Sequence, residues 1–231
     1  RYDAQGPKIL DGINLVVEAG EFVALVGPSG SGKTTILRLL LGFEQPEAGS
    51  IRYDDMDLAD LDAPMLRRKN FGVVLQQGGL LPGSILSNVV GLDGHDEKQA
   101  WAVLREAGLA EDIAAMPQGL HTAVGEGGST LSGGQRQRLT IARALAGKPS
   151  ILFLDEATSA LDNRTQDIVV KSLESLRVTR IVVAHRLSTV QNADRIVLLD
   201  GGKIVESGTY RELMAREGRF RELVRRQLLA R

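Results

Sequence analysis

Apolar residues in this chain come in short runs of two kinds. Phe22-Val23-Ala24-Leu25-Val26, Ile151-Leu152-Phe153-Leu154, Ile181-Val182-Val183-Ala184 and Ile196-Val197-Leu198-Leu199 are continuous, as in strands covered on both faces. Ile13-Asn14-Leu15-Val16-Val17 alternates and predicts a strand covered on one face, with a turn at Glu18-Ala19-Gly20-Glu21, so the first third of the chain reads as β-rich. Helical spacing appears elsewhere. Thr35-Ile36-Leu37-Arg38-Leu39-Leu40-Leu41 reads as a helix closed by Gly42, and Ala100, Val103, Leu104 and Ala107 define one face of a helix over 97–107. Leu139, Ala142, Leu145 and Ala146 define another, and a further helix is expected from Asn163 to Leu176. Asp200-Gly201-Gly202-Lys203 predicts a hairpin turn, and Thr209-Tyr210-Arg211-Glu212 a capping box opening a terminal helix. Alternation of strand and helix in the last third implies a parallel sheet with both faces covered. The middle, from about Gln77 to Gly147, reads as an inserted, mostly helical lobe.

Composition narrows the function classes. A chain of 231 residues with 43% hydrophobic content can bury the core of one large α/β domain. With 28 basic against 29 acidic residues, nothing in the charge balance points to nucleic acid or an anionic membrane as partner. Cysteine is absent, so no disulfide frame or thiolate chemistry is expected. No apolar stretch approaches the ~20 residues of a membrane span, so the chain as it stands is expected to be soluble.

The chemistry starts at Gly27-Pro28-Ser29-Gly30-Ser31-Gly32-Lys33-Thr34, which fits G-x-x-x-x-G-K-[ST] between a strand and a helix. Its glycines let backbone N–H groups wrap a polyphosphate, Lys33 reaches the β- and γ-phosphates, and the Thr34 hydroxyl can ligate Mg²⁺. A nucleoside triphosphate is therefore the expected ligand. Asp155 and Glu156 end an apolar strand, where ligands bind in open α/β sheets. Asp155 is suited to hold Mg²⁺ and Glu156 to polarise an attacking water. At Leu131-Ser132-Gly133-Gly134-Gln135, Ser132 can cap a helix whose first-turn glycines leave N–H groups open to an anion, although Ser-Gly-Gly alone is more often a simple capped turn.

These motifs together resemble the nucleotide-binding domain of the ATP-binding cassette (ABC) family, from Tyr2 to about Val224. Residues 131–135 match the family's signature pentapeptide. Asp155-Glu156 resembles the Walker B pair, Ser159-Ala160-Leu161-Asp162 the D-loop, His185 the switch histidine and Gln76 the Q-loop glutamine. Tyr2 stands 31 positions before Lys33, where the family keeps an aromatic that stacks on adenine. The Q-loop departs from the usual pattern, with Leu75 before Gln76 and Gln77-Gly78 after it.

The resemblance implies an α/β P-loop NTPase core with a mostly parallel sheet, an N-terminal antiparallel β subdomain and an inserted helical subdomain. On this expectation residues 1–76 and 148–231 form the core and 77–147 the helical part. It implies ATP and Mg²⁺ as cofactors. Nucleotide contacts fall to Tyr2, the loop from Gly27 through Thr35, Gln76, Ser132, Gly133, Gly134, Gln135 and Asp162. Metal contacts fall to Thr34, Gln76 and Asp155, and catalysis to Glu156, His185 and Lys33. It also implies a head-to-tail pair, in which two copies sandwich two ATP molecules, each held by one copy's Lys33 loop and capped by the other's Ser132 and Gly134.

Thr122-Ala123-Val124-Gly125-Glu126-Gly127 resembles an element of exporters, as do the segments 156–162 and 184–196. The stretches 73–78 and 157–166 most resemble bacterial bacteriocin and peptide exporters. The expectation is thus an ATPase domain fused behind membrane helices, at the cytoplasmic face of a bacterial inner membrane. A stand-alone ATPase subunit of an importer or other multicomponent transporter shares the core motifs and is the alternative. A guanine-reading N-K-x-D segment is lacking, as are the long heptads of DNA-repair cassette ATPases.

Overall fold

The computed structural model describes residues 6–75, 79–91, 96–155, 168–170, 173, 178–184 and 187–229. In chain order these form β1 (Phe22–Val26), α1 (Lys33–Leu40), β2 (Arg52–Tyr53), β3 (Met56–Asp57), α2 (Ala63–Lys69), β4 (Phe71–Val74), β5 (Gly83–Ser84) and α3 (Ile85–Val90). Then come α4 (Glu97–Glu106), α5 (Ala110–Ala114), β6 (Ala123–Val124), α6 (Gly133–Ala146), β7 (Ile151–Asp155) and β8 (Thr179–Val183). A short helix Leu187–Val190, β9 (Arg195–Asp200), β10 (Lys203–Gly208) and helices Tyr210–Ala215 and Arg219–Leu229 complete the order. No helix among the described residues is long and apolar enough to cross a membrane.

Two compact units divide the chain: Arg1–Arg67 with Thr179–Arg231, and Arg68–Val178. In the first, the strands run in the order β10-β9-β1-β8. β1 lies parallel to both β8 and β9, with Ala24 opposite Val182 on one side and Ile196 on the other. All five of its residues are buried, which is why the run shows no alternation. Its start is pinned by polar contacts. The Phe22 N–H donates to Asp194 at 2.8 Å, and Arg195 pairs with both oxygens of Glu21 at 2.8 and 3.0 Å. β10 turns back antiparallel on β9 through Gly201 (φ 54°) and Gly202 (φ 76°), the backbone of a tight hairpin with two positive φ angles. β2 and β3 form a separate small antiparallel pair.

The alternating segment Ile13 to Val17 departs from its expectation. Exposure alternates along it, yet no strand is formed. It is tied instead by single bonds, Asp11 N–H to the Gly202 carbonyl at 2.9 Å and the Arg195 guanidinium to the Val16 carbonyl. Alternation reports which face is covered; a ladder also needs a partner backbone, and none pairs with it among the described residues.

In the second unit β4 and β7 pair in parallel. α6 packs on α3, α4 and β4, burying Leu139, Ile141, Ala142 and Leu145. Gly72 in β4 permits that approach: a Cβ there would lie 2.6 Å from the Ala144 carbonyl oxygen and 2.4 Å from Leu152 Cδ2. Phe153 of β7 is fully buried, its ring edge-on to Phe71 at 5.1 Å between centroids. Of the helix expected over 163–176, residues 168–170 and 173 are described, and all are helical. Parallel strands in each unit, with antiparallel elements and helices, make this the mostly parallel α/β class expected.

Candidate nucleotide-binding site

β1 delivers its chain at Val26 directly into the glycine-rich loop, and α1 begins at Lys33. Two glycines in the loop have steric reasons to be glycine. Gly27 sits at φ 148°, and a Cβ on it would fall 2.1 Å from the Leu199 carbonyl oxygen of neighbouring β9. Gly32, at φ 101°, faces Leu10 Cδ2 at 2.5 Å in the same test and is the N-cap of α1. It offers no side chain to cap the helix, and no acidic residue stands in the first turn. That leaves the positive end of the helix dipole suited to an anion.

Lys33 is buried, 5% exposed, an unusual place for an ammonium unless polar groups surround it. Its Nζ donates to the Gly27 and Pro28 carbonyls at 2.9 Å each and reaches Ser31 Oγ at 3.5 Å. The loop's own backbone thus holds the cation. Ser31 is buried with it at 3%.

In the second unit, Ser132 is the N-cap of α6 and forms a reciprocal capping box with Gln135. Ser132 Oγ accepts the Gln135 N–H at 3.2 Å, and Gln135 Oε1 accepts the Ser132 N–H at 3.0 Å. Gly133 and Gly134 occupy the first turn, which carries no acidic residue. Arg136 fastens the preceding loop to this helix by donating to the Leu131 carbonyl at 2.6 Å and the Gly128 carbonyl at 3.4 Å. Its side-chain stem lies over Gly128, where a Cβ would meet Arg136 Cδ at 2.7 Å. Asp155 ends β7 with its side chain buried, 3% exposed.

The family model described as "ABC transporter" matches residues 10–159. The chain belongs to the ABC transporter family. It is 46% identical over 222 residues to the ATP-dependent lipid A-core flippase of Neisseria meningitidis, covering 95% of this chain and 36% of that protein. It is 49% identical over 222 residues to the mycobactin import ATP-binding/permease protein IrtB of Mycolicibacterium smegmatis, covering 95% and 38%. A solved structure described as a bacterial Atm1-family ABC exporter with ATP bound superposes with a TM-score of 0.93 at 42% identity, over 98% of this chain and 40% of that one. The chain therefore spans well under half the length of these relatives. It is an ABC ATP-binding domain, an ATPase, similar to those of exporters.

The donor set suits the cassette's ligands. A loop of glycines at positive φ around a buried lysine fits a polyphosphate. A buried carboxylate at Asp155 and the Thr34 hydroxyl fit Mg²⁺, which takes few protein oxygens and completes its shell from phosphate and water. Among the described residues no group of three or more His, Cys, Asp or Glu forms an all-protein metal cage. Tyr2, Gln76, Glu156, Asp162 and His185 lie outside the described residues. Sequence reasoning saw Ser132 as a cap but not the reciprocal role of Gln135. The S-x-x-Q spacing was the available signal.

Proposed function

We propose that this chain is the ATP-hydrolysing motor of an exporter-type ABC transporter and works as a head-to-tail pair of cassettes. What carries the reading is the presence, in one chain, of two separate helix starts built for phosphate: the Lys33 loop and the Ser132 cap. In this reading the loop from Gly27 to Thr35 cradles the triphosphate, Lys33 neutralises its β- and γ-oxygens, and Tyr2 stacks on adenine. Ser132, Gly133 and Gly134, with Asp162, complete the site of the other copy. Thr34, Gln76 and Asp155 would hold Mg²⁺, which would supply positive charge to offset that on the phosphates. Glu156 orients water for in-line attack, and His185 contacts the γ-phosphate. Residues 1–76 with 148–231 act as the nucleotide-binding core and 77–147 as the helical arm bearing the signature. Hydrolysis removes the charge bridging the two copies and lets them part.

The relatives, including an ATP-binding/permease protein, support a membrane-spanning part elsewhere in the full protein and a place at the cytoplasmic face of the bacterial inner membrane. The peptide cargo expected from 73–78 and 157–166 finds no support among them: they are named for lipid A-core and mycobactin. Cargo choice belongs to the membrane-spanning part.

Two variants test the shared site. Glu156→Gln is expected to lose turnover while still binding a fluorescent ATP analogue, and Ser132→Arg to lose turnover with monomer binding intact. Turnover at the wild-type rate in either refutes the reading. Reading the gene upstream of Arg1 separates a fused exporter, which shows in-frame spans of about 20 apolar residues, from a stand-alone subunit.

A further inference from the structure

Asp112 stands in the first turn of α5, outside every motif of the sequence. Its carboxylate receives two donors from α6. Gln135 Nε2 reaches Oδ1 at 3.1 Å, and Arg138 reaches Oδ2 at 2.8 Å. The Arg138 side chain is 12% exposed, and its guanidinium also donates to the Gly108 carbonyl and, at 3.4 Å, to the Gly134 carbonyl. The signature helix is thus gripped from α5 along its first two turns, at Gln135 and Arg138.

The contact to Gln135 has a directional consequence. A carboxylate only accepts, whereas a primary amide has an accepting end and a donating end. Asp112 therefore selects the orientation that turns the Gln135 amino group toward itself and Oε1 toward the Ser132 N–H. The flipped amide would set its amino group against the Ser132 N–H, donor facing donor, and open the capping box. While the box is closed, Ser132 Oγ accepts from the helix backbone, and the hydroxyl proton can donate outward.

We propose that Asp112 is a positioning residue for the signature: by orienting the Gln135 amide it holds Ser132 ready to donate to the phosphate bound by a second copy of this chain. The inference rests on the shared-site reading above. It differs from a plain tether between α5 and α6, for which the Arg138 ion pair alone would suffice.

The test compares ATP turnover and fluorescent ATP-analogue binding in the full chain. Asp112→Ala is expected to lower kcat about tenfold, the size of one lost charge-assisted hydrogen bond, with monomer nucleotide affinity unchanged. Gln135→Glu sets two carboxylates against each other and should lower kcat by at least about tenfold. Adding Asp112→Asn to Gln135→Glu reverses the polarity of the contact, amide donating to carboxylate, and should recover about tenfold over Gln135→Glu alone. A tether acting through Arg138 gives no such rescue, because the double variant lacks the Asp112 charge. Wild-type kcat in Asp112→Ala, or a double variant no faster than Gln135→Glu, overturns the proposal. Should Asp112→Ala fail to fold, the rescue pair decides. Ser132→Arg, run alongside, separates the two readings. If it keeps wild-type turnover, the shared site falls and the Asp112 role with it; if it stops turnover while Asp112→Ala does not, the Asp112 role alone falls.

Discussion

Gly27 and Gly30 occupy one loop, both at positive φ, and the structure assigns them very different tolerance to a methyl group. At Gly27 (φ 148°) an added Cβ would sit 2.1 Å from the Leu199 carbonyl oxygen and 2.9 Å from Ser31 Oγ. An ordinary carbon–oxygen contact is about 3.3 Å, so the overlap with Leu199 is about 1.2 Å. Leu199 is held in the ladder of β9, and Gly27 follows β1, its parallel neighbour, so no side-chain rotation relieves the clash. Overpacking costs about 1–3 kcal/mol and the disfavoured backbone about the same, roughly 2–6 kcal/mol together. Gly30 (φ 78°) has nothing within 4 Å of its Cβ position, which leaves only backbone strain of about 1–2 kcal/mol. For a chain of this size each kcal/mol lowers Tm by about 2–4 °C, so Gly27→Ala should fall by about 10 °C and Gly30→Ala by about 4 °C. The loop must also shift to admit the methyl group, so ATP-analogue affinity should weaken at least about tenfold in Gly27→Ala. Thermal melts with a fluorescent-nucleotide titration read both quantities. Equal Tm losses in the two variants, or wild-type affinity in Gly27→Ala, would refute the close approach of the loop to β9.

In the second unit, Phe153→Ala removes a fully buried ring and its edge-on partner contact with Phe71; a loss of about 3–5 kcal/mol in urea unfolding is expected, and a loss under about 1 kcal/mol would contradict the packing. The terminal capping box carries a pH signature. Thr209 donates to Glu212 from its backbone N–H and its side chain, with Arg216 nearby, and these hold the carboxyl below its ordinary 4.5. A folded-state pKa below the unfolded one adds stability that is fully present above pH 4.5 and is lost as pH falls through the lower folded value. The stability gap between the wild type and Glu212→Gln should therefore close below pH 4.5, and a gap that persists unchanged into acid counts against the charge-assisted cap.

Much of the architecture near the nucleotide loop follows from local pattern. The run Phe22 to Val26 could only be satisfied by burial on both faces, and two successive glycines after Asp200 permit the tight hairpin turn. The glycine-rich loop and the Ser132 cap were legible because each is a short-range pattern: glycines and lysine stand together in the one, serine, glycines and glutamine in the other. Ile13 to Val17 shows the limit of such reading, since alternation carries no information about whether a partner strand lies alongside. The same holds for the glycines. Their presence at positions 27 and 72 is visible in the chain, but the Leu199 carbonyl that excludes a side chain from Gly27, and the Ala144 carbonyl that excludes one from Gly72, are set only by folding. Asp112 is the sharpest case, an acid 23 positions before Gln135 with no motif around it. Sequence determined the glycine-rich lysine loop and the Ser132 cap, because each is a pattern of neighbouring residues. Tertiary structure decided which distant side chains hold them in place, because a hydrogen bond between α5 and α6 exists only once the two helices are packed.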